Sequence, residues 1–435
     1  MRDVTHLRRV EATDRFLLPR LRFCREFARH PHTVRCVDPI RNPYAPGAGQ
    51  RPPELAGRDA ELAAMDVVLE RAARGRPERS VVLVGLRGVG KTVLLNALRS
   101  RAIDRLWGTA KLEARPGHSL RRPLSSALHL AVRELASRHR DPQRVEEFLG
   151  VLKAFALRAA PDKATLRERW QPGIDVPPRS GRADTGDMEI DLVEVLVDAA
   201  DLARDVGTGV ALFVDEMQDL TEEDASALCA AFHEISQQGL PLVLVGAGLP
   251  HVPATLSASK SYSERLFRYV RVDRLVREAA DRALAAPASD EGVEFAPTAL
   301  DALYEATEGY PYFVQAYGKA VWDVSPASPI TADDVAVAAP LARADLGVGF
   351  FGSRYERATP AERDYLRAMA GLAAESRDGT VASADVAAAL GRKPSSLSPA
   401  RDALLKKGLV YSAERGLIAF TVPHFGAFLR DQAAP

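Results

Sequence analysis

SVVLVGLRGVGKTVLLNAL, residues 80–98, is the stretch whose reading decides the fold. It starts with an apolar run, Val81 to Val84, turns through glycines, and continues from Lys91 with leucines at 94, 95 and 98, which is helical spacing. The turn, GLRGVGKT from Gly85 to Thr92, fits G-x-x-x-x-G-K-[ST], the pattern of a phosphate-binding loop. The spacing has a physical cause. Glycines let the backbone curl so that successive N–H groups converge on a phosphate, and the next helix adds its N-terminal partial charge. The pattern therefore predicts that Gly85, Leu86, Arg87, Gly88, Val89, Gly90, Lys91, Thr92 and Val93 line a nucleotide. Lys91 would reach the β- and γ-phosphates, and Thr92 would ligate Mg²⁺.

The partner of this stretch is GVALFVDEMQDL, residues 209–220. An unbroken apolar run, Val210 to Val214, is the mark of a parallel strand buried on both faces, and it ends in Asp215 and Glu216. A Mg·ATP enzyme needs carboxylates there. Asp215 is expected to hold the metal with Thr92, and Glu216 to orient and deprotonate the attacking water. A further strand, LPLVLV at 240–245, runs into GAGLP; Gly246, Ala247 and Gly248 offer only backbone where a polar side chain would meet the γ-phosphate. Beyond it SYSERLFRYVRVDRL, residues 261–275, predicts a short helix and a strand. Arg265 or Arg268 is a candidate arginine finger toward a neighbour's nucleotide.

Composition narrows the class. The 435 residues suffice for two or three domains, and 58 basic against 58 acidic residues leave no net charge to draw the chain to nucleic acid or a membrane. Cys24, Cys36 and Cys229 lack C-x-x-C spacing, which argues against a disulfide framework or structural zinc and for a cytoplasmic setting. No apolar run reaches the eighteen or so residues of a membrane span, so no membrane partner is expected.

In chain order, residues 1–42 read as an Arg-rich extension (Arg8, Arg9, Arg15, Arg20, Arg22, Arg25, Arg29, Arg35) with little order, and 43–54, rich in proline and glycine, as a linker with little structure of its own. Residues 55–280 form the nucleotide-binding core, where Asp59 can cap a first helix and residues 118–190 form a helical insertion with a mobile, polar middle. Residues 281–345 form a helical lid, with Gly309-Tyr310-Pro311 between two helices and Tyr312, Phe313 and Tyr317 as its core. In 346–435, three helices precede two short strands about a turn at 414–416, a winged helix-turn-helix. Its basic and polar set, Ser395, Ser396, Ser398, Arg401, Lys406, Lys407 and Arg415, makes 395–415 the surface available to double-stranded DNA. The fold class is thus α/β: a P-loop NTPase, with a parallel sheet flanked by helices, carrying a helical lid and a C-terminal winged helix-turn-helix.

With GRDAEL, GLRGVGKT, ALFVDE, LVGAG and EGYPYF in place, the chain resembles AAA-family P-loop ATPases, between the origin-recognition type and the signalling type known as STAND. The resemblance covers about residues 42–430. It implies ATP or ADP with Mg²⁺ as cofactors, Gly57 and Arg58 against the adenine and ribose, and Pro311, in the G-x-P of the signalling type, at the nucleotide. It also implies a possible homo-oligomer. Two departures, no polar residue at 246–248 and Gly-Tyr-Pro where an arginine would sense the γ-phosphate, imply a slow switch rather than a fast motor. The first expectation is an ATPase whose nucleotide state repositions the lid and winged helix. The alternatives are an ATP-licensed DNA-binding regulator or initiator, and a signalling or defence switch with an autoinhibitory winged helix.

Overall fold

The computed structural model describes residues 36–47, 49–76, 78–158, 173–376 and 379–432. The arginines expected in the N-terminal extension, at 8 through 35, lie outside the described residues. The described chain divides into two units, one made of residues up to 57 with 274–350, the other of 58–273 with 351 onward.

The larger unit is built on five parallel strands: β1 (Ser80–Val84), β2 (Gly108–Glu113), β3 (Val210–Asp215), β4 (Leu242–Gly248) and β5 (Phe267–Arg271), in the order β2-β3-β4-β1-β5. Every residue of β3 and β4 is buried, which is why they read as unbroken apolar runs. Parallel neighbours need crossovers, and helices supply them. α1 (Asp59–Ala73) leads in, and α2 (Lys91–Asp104) follows β1. α3 (Arg121–Ala136), α4 (Pro142–Leu157) and α5 (Met188–Asp205) join β2 to β3. α6 (Glu222–Gln238) joins β3 to β4, and α7 (Val252–Ser259) follows β4. Asp59 is the first helical residue of α1 and no side-chain cap is present, contrary to the expected cap.

The insertion differs from expectation. Leu124, Leu128, Phe148, Phe155, Leu192 and Leu196 belong to the same buried cluster as the strands, so α3 to α5 are a layer of the core. Residues 159–172 lie outside the description, but the polar loop 173–187 is pinned. Lys153 Nζ donates to the carbonyls of Ile174 (2.9 Å) and Val176 (2.7 Å). Asp191, fully buried, accepts from Arg121 (2.8 Å), from the Thr185 hydroxyl (2.7 Å) and from the Gly186 amide (3.1 Å). Buried polar groups must be paired, and these pairings hold the loop.

The C-terminal part of this unit comprises α12 (Pro360–Glu375), β6 (Val381–Ala382), α13 (Ser383–Ala389), α14 (Pro394–Lys406), β7 (Val410–Glu414), β8 (Leu417–Phe420) and α15 (Phe425–Asp431). Its antiparallel sheet runs β6-β8-β7, and three helices with a hairpin fit a winged helix. Thr359 and Glu362 close a capping box at the start of α12, as the sequence signature predicts.

The smaller unit holds α8 (Arg277–Asp290), α9 (Pro297–Thr307), α10 (Pro311–Val324) and α11 (Ala332–Asp345). Gly309 lies between α9 and α10 at φ +71°, and a Cβ there would sit 2.3 Å from the Leu275 carbonyl, so only glycine fits. Phe313 and Tyr317 are buried, and Tyr312 stacks on Phe350 at 4.5 Å. The supposed linker is anchored to this unit. Buried Tyr44 packs edge-on to Trp322 and donates to the Leu284 carbonyl, and Asn42 donates to Asp323 (2.7 Å). Among its described residues there is neither helix nor strand, as its prolines lead one to expect. One continuous helix, Ala332–Glu356, is long and apolar enough to cross a membrane by length and composition. Val335, Ala338 and Ala342 nevertheless face the interior of the helical unit.

Candidate active site

The phosphate loop leaves the carboxyl end of β1, and the acid pair leaves the carboxyl end of β3, with β4 between them. Registers Val84↔Gly248 and Val214↔Gly246 put the three strand ends level, at the point where strand order reverses and where open α/β sheets bind ligands. The Gly85 amide donates to the Gly248 carbonyl at 3.2 Å, and a Cβ on Gly85 would lie 2.2 Å from the Val272 carbonyl. Gly88 and Gly90 adopt φ of +86° and +88°, the left-handed region that a side chain disfavours. Gly90 caps α2, so Lys91 and Thr92 stand at that helix's first two positions.

Lys91 Nζ donates to the carbonyls of Gly85 (2.9 Å) and Leu86 (2.8 Å). Burial lowers its pKa to about 8, with the nearby charges of Glu216 and Asp215 pulling the other way. A desolvated ammonium satisfied only by neutral carbonyls suits a polyanion, which matches the chemistry of a nucleotide phosphate. Asp215, buried, accepts from the Glu216 amide (3.0 Å). Asp215 and Thr92 would supply two oxygen donors to a metal. Mg²⁺ ordinarily takes one or two carboxylates and fills the rest with phosphate and water, so this short donor set fits it. Among the described residues no group of three or more His, Cys, Asp or Glu side chains is placed to hold a metal by itself.

Glu216 occupies a left-handed conformation, φ +52°, which costs a non-glycine residue energy and turns its carboxylate. One oxygen accepts from Arg87 (3.4 Å), the other from the Gln218 amide. Gln218 in turn accepts from the Leu249 amide (3.0 Å), tying the end of β3 to the end of β4. Burial raises the Asp219 pKa, and the neighbouring Glu216 charge adds to it. Sequence reasoning passed over Gln218 and Met217. Their signal was their place directly after the acids in GVALFVDEMQDL.

The remaining expected residues are dispersed. Arg58 is buried and donates to the carbonyls of Val89 (3.3 Å) and Asp273 (2.6 Å), so its guanidinium braces the phosphate loop and the segment after β5. Gly57 and Pro311 belong to the helical unit, Pro311 as the first residue of α10. Arg265 is exposed in the short helix Ser263–Leu266 before β5, as the sequence predicts, and Arg268 pairs in register with Val81 near the start of β1. Both arginines are therefore at the amino end of the strands, away from this chain's own phosphate loop. In the C-terminal part, Lys407 donates to Glu362 (2.6 Å) and to the Arg357 carbonyl (2.9 Å), and Arg401 pairs with Asp402 (3.1 Å). Lys407 is thus a cation engaged within the C-terminal part. Ser395, Ser396, Lys406 and Arg415 are exposed.

A five-stranded parallel sheet with a glycine loop at its reversal point and an acid pair two strands away defines a P-loop NTPase. Residues 54–245 match the AAA ATPase domain family, so this part of the chain is similar to AAA-type P-loop ATPases. Residues 348–429 match a second family, described as a domain of unknown function (DUF8462). No curated protein matches the sequence at a significant level. Among solved structures, a Walker-type ATPase of Pyrococcus abyssi superposes with TM-score 0.53 at 16% identity, covering 87% of this chain and 97% of its own; at that identity the likeness speaks to fold. The RuvB Holliday junction branch migration motor of Thermotoga maritima gives TM-score 0.43 at 18% identity, over 86% of this chain and 96% of that one. The Orc1 protein of Aeropyrum pernix, solved in complex with DNA, gives 0.42 at 15% identity, over 88% and 94%.

Proposed function

We propose that the protein binds Mg·ATP in the loop Gly85 to Val93 and hydrolyses it slowly, using its nucleotide state to reposition the helical unit and the winged helix. The observation that carries this reading is the level arrangement of three strand ends, which gathers Lys91, Thr92, Asp215 and Glu216 at one edge of the sheet. In this reading the loop amides and Lys91 hold the β- and γ-phosphates, while Thr92 and Asp215 hold Mg²⁺, which neutralises charge on the transferred phosphoryl group. Glu216 accepts the proton of the attacking water. Arg87 and Gln218 each engage one carboxylate oxygen and fix its orientation, and a base held by two partners favours slow turnover. Arg265 or Arg268 can act only on a neighbouring copy, so a finger role goes with a homo-oligomer. The setting proposed is the cytoplasm. Calorimetric titration with Mg·ATP tests the reading: wild type binds, Lys91→Ala does not, and equal binding by both refutes it.

A second reading, DNA binding licensed by ATP, is favoured by the exposed amino end of α14, where Arg392, Lys393, Ser395 and Ser396 face solvent. A duplex-DNA mobility shift at low salt, weakened by Lys393→Ala with Lys406→Ala, supports it; no shift at low salt leaves the winged helix as an internal latch.

A further inference from the structure

We propose that Arg87 is a positioning residue through which the C-terminal module restrains Glu216, so that undocking of that module releases the base. The inference rests on the ATPase reading above. Arg87 is held at three points within one unit. Its backbone N–H donates to the Thr421 carbonyl at 2.8 Å. Its guanidinium meets Glu216 at 3.4 Å on one side. On the other side it lies against Gly408, where a Cβ would come 2.8 Å from the terminal nitrogen. The side chain is about three-quarters covered, and its Nε is buried without a hydrogen-bond partner.

The far side of the contact is built to hold still. Thr421 is fully buried, and its hydroxyl donates to the carbonyls of Gly408 (2.7 Å) and Leu409 (3.2 Å), so the carbonyl that takes the Arg87 amide is fixed by the turn after α14 and by β8. A second contact lies beside it. His251, at the start of α7, stacks on Tyr411 of β7 with ring centroids 6.3 Å apart and planes within 16°. Phosphate-loop amides serve a nucleotide when they point into the loop, and the Arg87 amide instead serves the module. Release of the module would free that amide and let the guanidinium swing from Glu216 toward the phosphates, which is one movement with two consequences for turnover.

The test is steady-state phosphate release by the full chain with Mg·ATP. Arg87→Ala is expected to raise kcat about tenfold with KM for ATP unchanged, a factor equivalent to losing ~1.4 kcal/mol of restraint. Tyr411→Ala alters no side chain of the site and should raise kcat in the same direction, by loosening the module that holds Arg87. Hydrogen exchange of peptide 85–92 should quicken in Tyr411→Ala, and this readout stands even if Arg87→Ala folds poorly. Unchanged or lower kcat in both variants, beside a wild type that hydrolyses ATP and a Lys91→Ala that does not bind it, overturns the restraint and leaves the ATPase reading intact. A wild type that neither binds nor hydrolyses Mg·ATP overturns both.

Discussion

The carboxyl ends of β3 and β4 lie side by side and solve the same problem in opposite ways. β3 ends in two charged side chains, Asp215 and Glu216, and β4 ends in Gly246-Ala247-Gly248, with almost none. Read alone, the second end looks like a catalytic residue lost. The geometry gives another cause. A Cβ on Gly246 would lie 2.0 Å from the Met217 sulfur, and one on Gly248 would lie 2.6 Å from Val252 and 3.0 Å from the Gln218 side-chain oxygen. Met217 is buried, and the chain after the acids folds back across β4 to reach the Leu249 amide through Gln218. The acids are aimed by what lies on the glycines, so a polar side chain on β4 and this support for β3 exclude each other.

The comparison can be broken from either side. The largest effect is expected for Glu216→Gln, which should keep ATP binding but lower turnover by a factor on the order of 10²–10⁴, the usual worth of a positioned base; phosphate release at the wild-type rate refutes the assignment. Next, Gly246→Ala should cost about 1–3 kcal/mol in urea unfolding by overpacking against Met217. In a Met217→Ala background the same change should cost less, and equal costs would show that the two do not share the space. Gln218→Ala should cost about 1 kcal/mol, since it removes the bond joining the two strand ends.

The smallest effect lies outside the site. Burial alone would push the Glu362 carboxyl up, but the Lys407 ammonium and the Thr359 amide outweigh it and hold its pKa below the ordinary value. A depressed carboxyl pKa contributes stability above the unfolded value, near 4.3, and loses it as pH falls through the folded value. Acid unfolding should therefore reach the C-terminal module below about pH 4.3 in wild type. Its pH dependence should flatten in Glu362→Gln, followed by circular dichroism.

Legibility in the sequence followed distance along the chain. GLRGVGKT and the Val210–Asp215 run are local patterns with one physical meaning each, and the strands, helices and hairpin they announce stand within a few residues of where they were expected. The Thr359 capping box and Pro311 at the start of α10 were equally readable, because caps act over three or four residues. Three expectations failed for one reason. The residue after Gly57 braces the loop, the proline-rich stretch around Tyr44 is packed down, and the polar loop 173–187 is pinned. In each, the local pattern described the stretch, but partners on other elements hold it: Val89 and Asp273 for Arg58, Trp322 for Tyr44, Lys153 for the loop.

By itself, then, the sequence determined the nature of the site: a glycine loop, a lysine, a hydroxyl and two acids on strands that alternate with helices, all set by short-range sterics and hydrophobic periodicity. Tertiary structure decided what each of those residues is free to do. Strand order and register brought the carboxyl ends of β1, β3 and β4 to one edge, Met217 settled why β4 ends in glycine, and Thr421 and Gly408 took hold of Arg87. Such contacts join segments up to about 330 residues apart (Arg87 to Thr421, 421 − 87 = 334). They depend on the packing of whole elements, which no local pattern encodes.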